Sequence, residues 1–224
     1  MDHPSLSAAG TVVIYIIDPA LAGDPWEALT AAELSLAERF RFEKDAFHWR
    51  ACRAALRRIL GRALNVAASE LKLLTAEFGK PFLDEPHAGL HFNLSHCEDL
   101  ALVALCADGP VGVDIEPAGR APSLLECVEV FCHPDEIAAL PAEEARRAAA
   151  LLEIWTGKEA LLKALGTGLS LAPQTVALDR ATKEDARFRP FSVRILDHPL
   201  LTRHVARLAA PVASPAVRFE VFRG

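Results

Sequence analysis

No apolar run approaches the roughly 18 residues that cross a bilayer as a helix, so the sequence offers no candidate membrane span. There is no basic excess either: Lys and Arg number 24 against 30 Asp and Glu, a formal net charge of −6. General affinity for nucleic acid or for an anionic membrane surface is therefore not expected. Cysteine is sparse and odd in number (Cys52, Cys97, Cys106, Cys127 and Cys132), and no C-x-x-C pair exists. This argues against a disulfide framework and against a zinc site, and it suits a reducing cytoplasm. Low-complexity segments are lacking. Neither a basic stretch nor a cleavage site flanks the apolar run from Thr11 to Ile17, which reads as a first strand rather than a signal peptide. Gly79-Lys80 and Gly157-Lys158 lack the upstream glycine and the following Ser or Thr of a phosphate-binding P-loop.

What is present is an ordinary globular composition, 51% hydrophobic and 24% charged over 224 residues, enough for one large domain or two small ones. Val12 to Ile17 reads as a strand. A helical region runs from about Pro25 to Leu64, with Trp49, Cys52, Leu56, Ile59, Leu60 and Ala63 as its core stripe. Phe92 to Leu94, Leu100 to Cys106 and Val111 to Ile115 suggest three short strands. Phe131 to Leu140 starts a helix with Pro134 in its first turn. Ala148 to Leu165 is the strongest helix, closed by Gly166. Val193 to Leu196 and Val217 to Phe222 are late strands, and Ala209 to Pro215 is the best candidate for a loose loop. The fold class is α+β. Trp49 to Gly61 and Trp155 to Gly166 echo one another, each running from a Trp through a basic helix to a Gly.

Charge is concentrated between Arg39 and Arg62, where eight basic residues face only Glu43 and Asp45. Arg50, Arg53 and Arg57 border the core stripe, whereas Arg58 and Arg62 point away from it. Charge alone favours a solvated face. The sharper reading is an anion site, since guanidinium forks match phosphate oxygens. In Gly112-Val113-Asp114-Ile115-Glu116, strand alternation puts Gly112, Asp114 and Glu116 on one face. Two such carboxylates can share a hard cation such as Mg²⁺, and Gly112 leaves that face bare for a ligand. On the helix from Ala148, Lys158 falls inside the apolar stripe, where an ammonium must snorkel or meet an anion. Glu159 and Lys163 stand one turn apart on its flank. They form either a helical salt bridge or a third metal carboxylate with lysines for a polyphosphate.

Taken together, Gly112-x-Asp114-x-Glu116 and Trp155-Thr156-Gly157-Lys158-Glu159-Ala160-x-x-Lys163-x-x-Gly166 resemble the paired signature of the 4′-phosphopantetheinyl transferases. Phe78-Gly79-Lys80-Pro81, Phe92-Asn93-Leu94-Ser95-His96, Phe131 through Glu136 and Gly168-Leu169-Ser170 resemble that family's flanking segments. The likeness covers roughly residues 35 to 180, and the length resembles the larger, surfactin-synthetase-activating type, a monomer. It implies two similar α+β halves, residues 1–109 and 110–224, in pseudo-two-fold arrangement with coenzyme A in the cleft between them. It also implies transfer of phosphopantetheine to a serine of an apo acyl, peptidyl or aryl carrier protein, with release of adenosine 3′,5′-bisphosphate. Asp114, Glu116 and Glu159 would hold Mg²⁺. Lys163 would contact the diphosphate, with Lys158 close by, and Lys80, Pro81, Ser95 and His96 would line the coenzyme A site. Asp114, Glu159 and Lys163 would carry the chemistry, with Glu159 or a water on Asp114 as the base. One departure stands out: the family's Asp-x-x-Arg is Asp45-Ala46-Phe47-His48 here, so Arg53 or Arg41 would supplement His48 at the 3′-phosphate. Two competing readings are a Mg²⁺-dependent nuclease, which lacks its lysine because position 118 is Ala, and a non-catalytic binding module.

Overall fold

The computed structural model describes residues 9–224. In chain order the strands are β1 (Thr11–Ile17), β2 (Leu73–Thr75), β3 (Pro81–Leu83), β4 (His91–His96), β5 (Ala101–Cys106), β6 (Gly112–Pro117), β7 (Phe191–Ile195), β8 (His204–Pro211) and β9 (Ala216–Phe222). The helices are α1 (Ala31–Ala37), α2 (Glu43–Leu64), α3 (Val128–Phe131), α4 (Pro134–Ala139), α5 (Glu144–Leu165) and α6 (Leu178–Glu184). The α+β expectation is met.

Two sheets stack face to face with a long helix outside each. The first sheet has the order β4-β5-β1-β9, the second β6-β8-β7, and β2 and β3 form a separate hairpin. Alternation along β1 drives the layering. Val12, Ile14 and Ile16 face the second sheet's Val113, Ile115, Ala206 and Leu208, while Ile17 faces the α2 residues Cys52, Leu56, Ile59 and Leu60. Each of these large side chains is fully buried, which stabilises the fold by about 1.5–3 kcal/mol per residue. On the far side, Ala160, Leu161 and Ala164 of α5 pack on Ala209 of β8. The second sheet is antiparallel throughout. In the first, β9 runs parallel to β1. A segment from the expected second half thus completes the sheet of the first.

The local signals account for most boundaries. Thr30 and Glu33 close a capping box on α1, and Gly166 ends α5 with φ 84° in the left-handed region. Five expectations need correction. The region from Pro25 is two helices, broken between Ala37 and Glu43. α2 ends at Leu64, as expected, capped by Asn65 at φ 55°, so the Gly61 of the echo lies inside the helix. A Cβ at Gly61 would sit 2.7 Å from the Val66 carbonyl oxygen. That glycine therefore permits a close approach of the next turn, and the Trp-to-Gly echo is not two matched helix endings. The helix expected from Phe131 starts at Pro134, with a His133–Glu136 capping box, after the separate turn α3. The loose loop expected over Ala209 to Pro215 is confined to the turn from Val212 to Pro215, since Ala209, Ala210 and Pro211 end β8 and are buried. Trp49, placed in the core stripe, is half-buried and packs on Phe40 with ring centroids 6.0 Å apart.

Candidate active site

The two sheets touch along β4 and β6, and polar side chains fasten them there. Asn93 and Ser95 share a face of β4. The Val113 backbone N–H donates to Asn93 Oδ1 at 2.8 Å, and Ser95 Oγ donates to Asp114 Oδ1 at 2.8 Å. From the other side α5 lies directly on β6. A Cβ at Gly112 would fall 2.0 Å from the Ala160 oxygen and 2.4 Å from the Ala164 nitrogen. Gly112 therefore accommodates the helix backbone. The expectation that it clears space for a ligand is corrected.

This approach brings Lys163 to Asp114. Its ammonium lies 2.6 Å from Asp114 Oδ1 and donates to Ser95 Oγ at 3.0 Å. Asp114 is only 4% exposed, and its Oδ2 is buried with no hydrogen-bond partner. Glu159, one turn before Lys163, is half-buried. Burial raises its pKa; Lys163 opposes this, and the Asp114 and Glu116 carboxylates reinforce it. Glu116 pairs with Arg120 and accepts a hydrogen bond from Trp155 Nε1 at 3.3 Å, with the Arg120 guanidinium 5.9 Å from the Trp155 ring centre. The Asp114 and Glu116 carboxylates thus both act on Glu159 electrostatically. The three acids do not form a cluster with all donor atoms within 4.8 Å.

Beside them a cleft of about 650 Å³ is lined by Phe40, Lys44, Asp45, His48, Trp49, His96, Cys97 and Glu98. His48 and His96 meet edge to face, ring centroids 4.9 Å apart. Burial lowers both imidazole pKa values, and for His96 the neighbouring His48 and Lys163 lower it further. The cleft combines an aromatic wall suited to a ring-bearing ligand with the Lys44 ammonium, two imidazoles and the Asp45 and Glu98 carboxylates. Sequence reading passed over Phe40 and Lys44 as lining residues. Their signal was present, since both sit within the basic segment, Phe40 just before α2 and Lys44 in its first turn.

Several expected site residues are engaged elsewhere. Lys158 is 1% exposed; its ammonium lies 2.6 Å from Glu136 and donates to the carbonyl oxygens of Phe131 at 2.7 Å and Pro173 at 3.0 Å. The anion it meets belongs to the protein, so it does not lie by a ligand diphosphate. Lys80 donates to Val111 O at 3.0 Å and Ala164 O at 3.2 Å, and burial pushes its pKa down to about 8. It ties β6 to α5. Pro81 stands half-buried in the β2–β3 hairpin opposite Thr75. Arg53 and Arg57 pair with Glu33 at 2.5 and 2.7 Å, and Arg57 also holds Ala68 O and Leu71 O. Arg50 pairs with Glu43 and Arg58 binds Ala22 O. The three-arginine anion site is therefore corrected: their guanidiniums brace α1, α2 and the following loop. Arg41 is exposed, 5.2 Å from the Phe42 ring centre, and does not line the cleft.

Residues 110–212 match the model of the 4′-phosphopantetheinyl transferase superfamily, and residues 25–108 match that of the 4′-phosphopantetheinyl transferase N-terminal region. The chain belongs to the 4′-phosphopantetheinyl transferase superfamily. It is 36% identical over 147 residues to the 4′-phosphopantetheinyl transferase HetI of Nostoc (63% of this chain, 61% of that protein). It is 31% identical over 135 residues to Sfp of Bacillus subtilis (59% and 58%) and 29% over 138 residues to gsp of Aneurinibacillus migulanus (61% and 56%). These matches, with both family models in tandem, agree with the larger transferase type. The chain spans about three fifths of the length of the curated relatives it matches. Among the described residues no helix is long and apolar enough to cross a membrane.

Proposed function

We propose that this phosphopantetheinyl transferase homologue moves 4′-phosphopantetheine from coenzyme A to a serine hydroxyl of an apo acyl, peptidyl or aryl carrier protein. Adenosine 3′,5′-bisphosphate is the other product. The observation that carries the reading is the Lys163–Asp114–Ser95 contact, with the orphaned Asp114 Oδ2, one residue from His96 in the wall of an aromatic cleft.

Three carboxylates, two of them acting on Glu159 and one with a buried oxygen lacking a partner, fit a hard divalent cation held by oxygen ligands. Asp114, Glu116 and Glu159 would hold Mg²⁺, Glu116 exchanging its Arg120 contact for the ion. A cation held there would supply positive charge to offset that of the diphosphate and so favour departure of the bisphosphate. The chain's own groups supply the rest. Lys163, on the same helix flank, adds a positive charge where the leaving oxygen becomes negative. Glu159, or a water held by Asp114, accepts the serine proton. His48, His96 and Lys44 face the nucleotide phosphates from the cleft wall, His48 standing where the family pattern has Arg.

The same reading divides the chain at 109/110, with β9 returning to the first sheet. It treats the protein as a monomer, and its five free cysteines suit the reducing cytoplasm. Incubation with coenzyme A, Mg²⁺ and an apo carrier, followed by weighing the carrier, tests the proposal. A gain of one phosphopantetheine supports it. An unchanged carrier mass across acyl, peptidyl and aryl carriers would overturn it.

A further inference from the structure

Away from the Asp114 carboxylate, the turn between β4 and β5 meets the start of β8. There Cys97, Asp99 and His204 present a thiol, a carboxylate and an imidazole, all three donor atoms within 4.8 Å of one another. Asp99 Oδ1 is shared: it lies 2.8 Å from His204 Nε2 and 3.4 Å from Cys97 Sγ. Two ligands at about 2.0–2.3 Å from a tetrahedral ion stand roughly 3.3–3.6 Å apart, so the Cys97–Asp99 separation already matches a loaded site, while the Asp99–His204 hydrogen bond would open by about 0.5 Å to admit the ion. The His204 side chain is 4% exposed, and its Nδ1 is buried without a partner. Nε2 is thus the nitrogen presented to the cluster. The thiol's own hydrogen bonds are long, the second reaching Leu100 O at 3.5 Å. A cleft of about 580 Å³, lined by Glu98, Pro117 and Arg203 among others, opens beside Asp99 and His204.

We propose that Cys97, Asp99 and His204 form a three-ligand site for a borderline-soft divalent cation of the Zn²⁺ class, with its fourth position open to that cleft. One sulfur, one nitrogen and one oxygen donor suit such an ion better than Mg²⁺, which takes oxygen donors. Loading would release the Cys97 proton to solvent and replace the Asp99–His204 hydrogen bond with two bonds to the ion. Asp99 would also relinquish its long contact to Arg203, 3.5 Å. The spacing of cysteines along the sequence argues against zinc because it weighs only sulfur pairs. Here the fold, bringing residue 204 to residues 97 and 99, supplies the mixed donor set. The ion would clasp the first sheet's β4–β5 turn to the second sheet's β8. Cys97 directly follows His96, so the clasp would also steady one wall of the active-site cleft.

Titration of the full chain with Co²⁺ as a spectroscopic stand-in for Zn²⁺ tests the site. A single equivalent should produce a thiolate-to-cobalt charge-transfer band with the intense visible bands of a tetrahedral ion. Zn²⁺ should bleach both and raise the melting temperature. Cys97→Ser should abolish the charge-transfer band. His204→Gln should weaken Co²⁺ binding by about tenfold or more, and Asp114→Ala should change neither signal. If His204→Gln fails to fold, Cys97→Ser alone decides. A band that survives Cys97→Ser, a band lost in Asp114→Ala, or no band at millimolar Co²⁺ would each overturn the proposal.

Discussion

The Lys163 ammonium and the Asp114 carboxylate stand 2.6 Å apart because Gly112, two residues before the aspartate, lets α5 rest on bare strand backbone. Sequence pattern, backbone approach and site geometry are one relationship here. An added methyl at residue 112 would meet backbone atoms of Ala160 and Ala164, which cannot rotate aside.

Gly112→Ala should therefore push the helix outward and separate Lys163 and Glu159 from Asp114. We expect a stability loss of about 1–3 kcal/mol or more and a fall in carrier modification larger than the melting shift explains. Thermal melts with single-turnover transfer assays check this. A variant that melts and reacts like wild type would show that α5 does not need the close approach.

Lys163→Met keeps most of the apolar stem and removes the charge. If Lys163 stabilises the departing bisphosphate, kcat should drop about tenfold to a thousandfold, at roughly 1.4 kcal/mol per tenfold. The KM for coenzyme A should change less. Steady-state kinetics with a parallel melt are sufficient. An unaltered kcat would leave Lys163 as only a structural partner of Asp114.

Lys158→Met makes the opposite prediction. Truncation strands Glu136, 9% exposed at its side chain, without its cation. Removing one member of a buried pair costs about 3–5 kcal/mol. Turnover by the fraction that remains folded should stay near wild type. Urea titration combined with kinetics below the unfolding midpoint distinguishes this from a role at the diphosphate, which would lower kcat without loss of stability.

Glu33 gives the pH dependence. Burial alone would raise its pKa, but hydrogen bonds from the Thr30 backbone, Arg57 and Arg53 outweigh burial and lower it. Its folded pKa lies below its unfolded value. The resulting stabilisation is complete above the unfolded carboxylate pKa of about 4.3 and disappears as pH falls through the folded value. Glu33→Gln should be less stable than wild type at pH 7, and the gap should narrow as pH falls below the unfolded carboxylate pKa of about 4.3. Chemical denaturation across this range tests this; a gap that widens on acidification contradicts the assignment.

The sequence makes the apolar and glycine-punctuated elements plain. β1, β4 to β6 and α5 carry continuous or alternating hydrophobic patterns, and Gly166 marks the end of α5. β8 escaped because His-Val-Ala-Arg-Leu-Ala-Ala-Pro mixes charge, alanine and proline, and small side chains reveal burial poorly in any pattern. Asp114, Ser95 and Lys163 were identifiable as a group, and the fold brings them into contact. Lys158 and Lys80 were equally conspicuous but face inward. Their partners are mainly backbone carbonyls of Phe131, Pro173, Val111 and Ala164, which leave no signature in side-chain identity.

The parallel pairing of β9 with β1 has a consequence for synthesis. Thr11 finds its partner at Ala216, about two hundred residues later. While the ribosome is still making the intervening chain, one edge of β1 has no strand beside it. That edge is a row of unpaired amides able to recruit a stray strand from another nascent chain. The largest loop closure in the molecule is therefore also among the last available to it, and closing it removes the exposed edge. A chain released short of Ala216 would carry its active-site motifs intact but remain open to aggregation along β1.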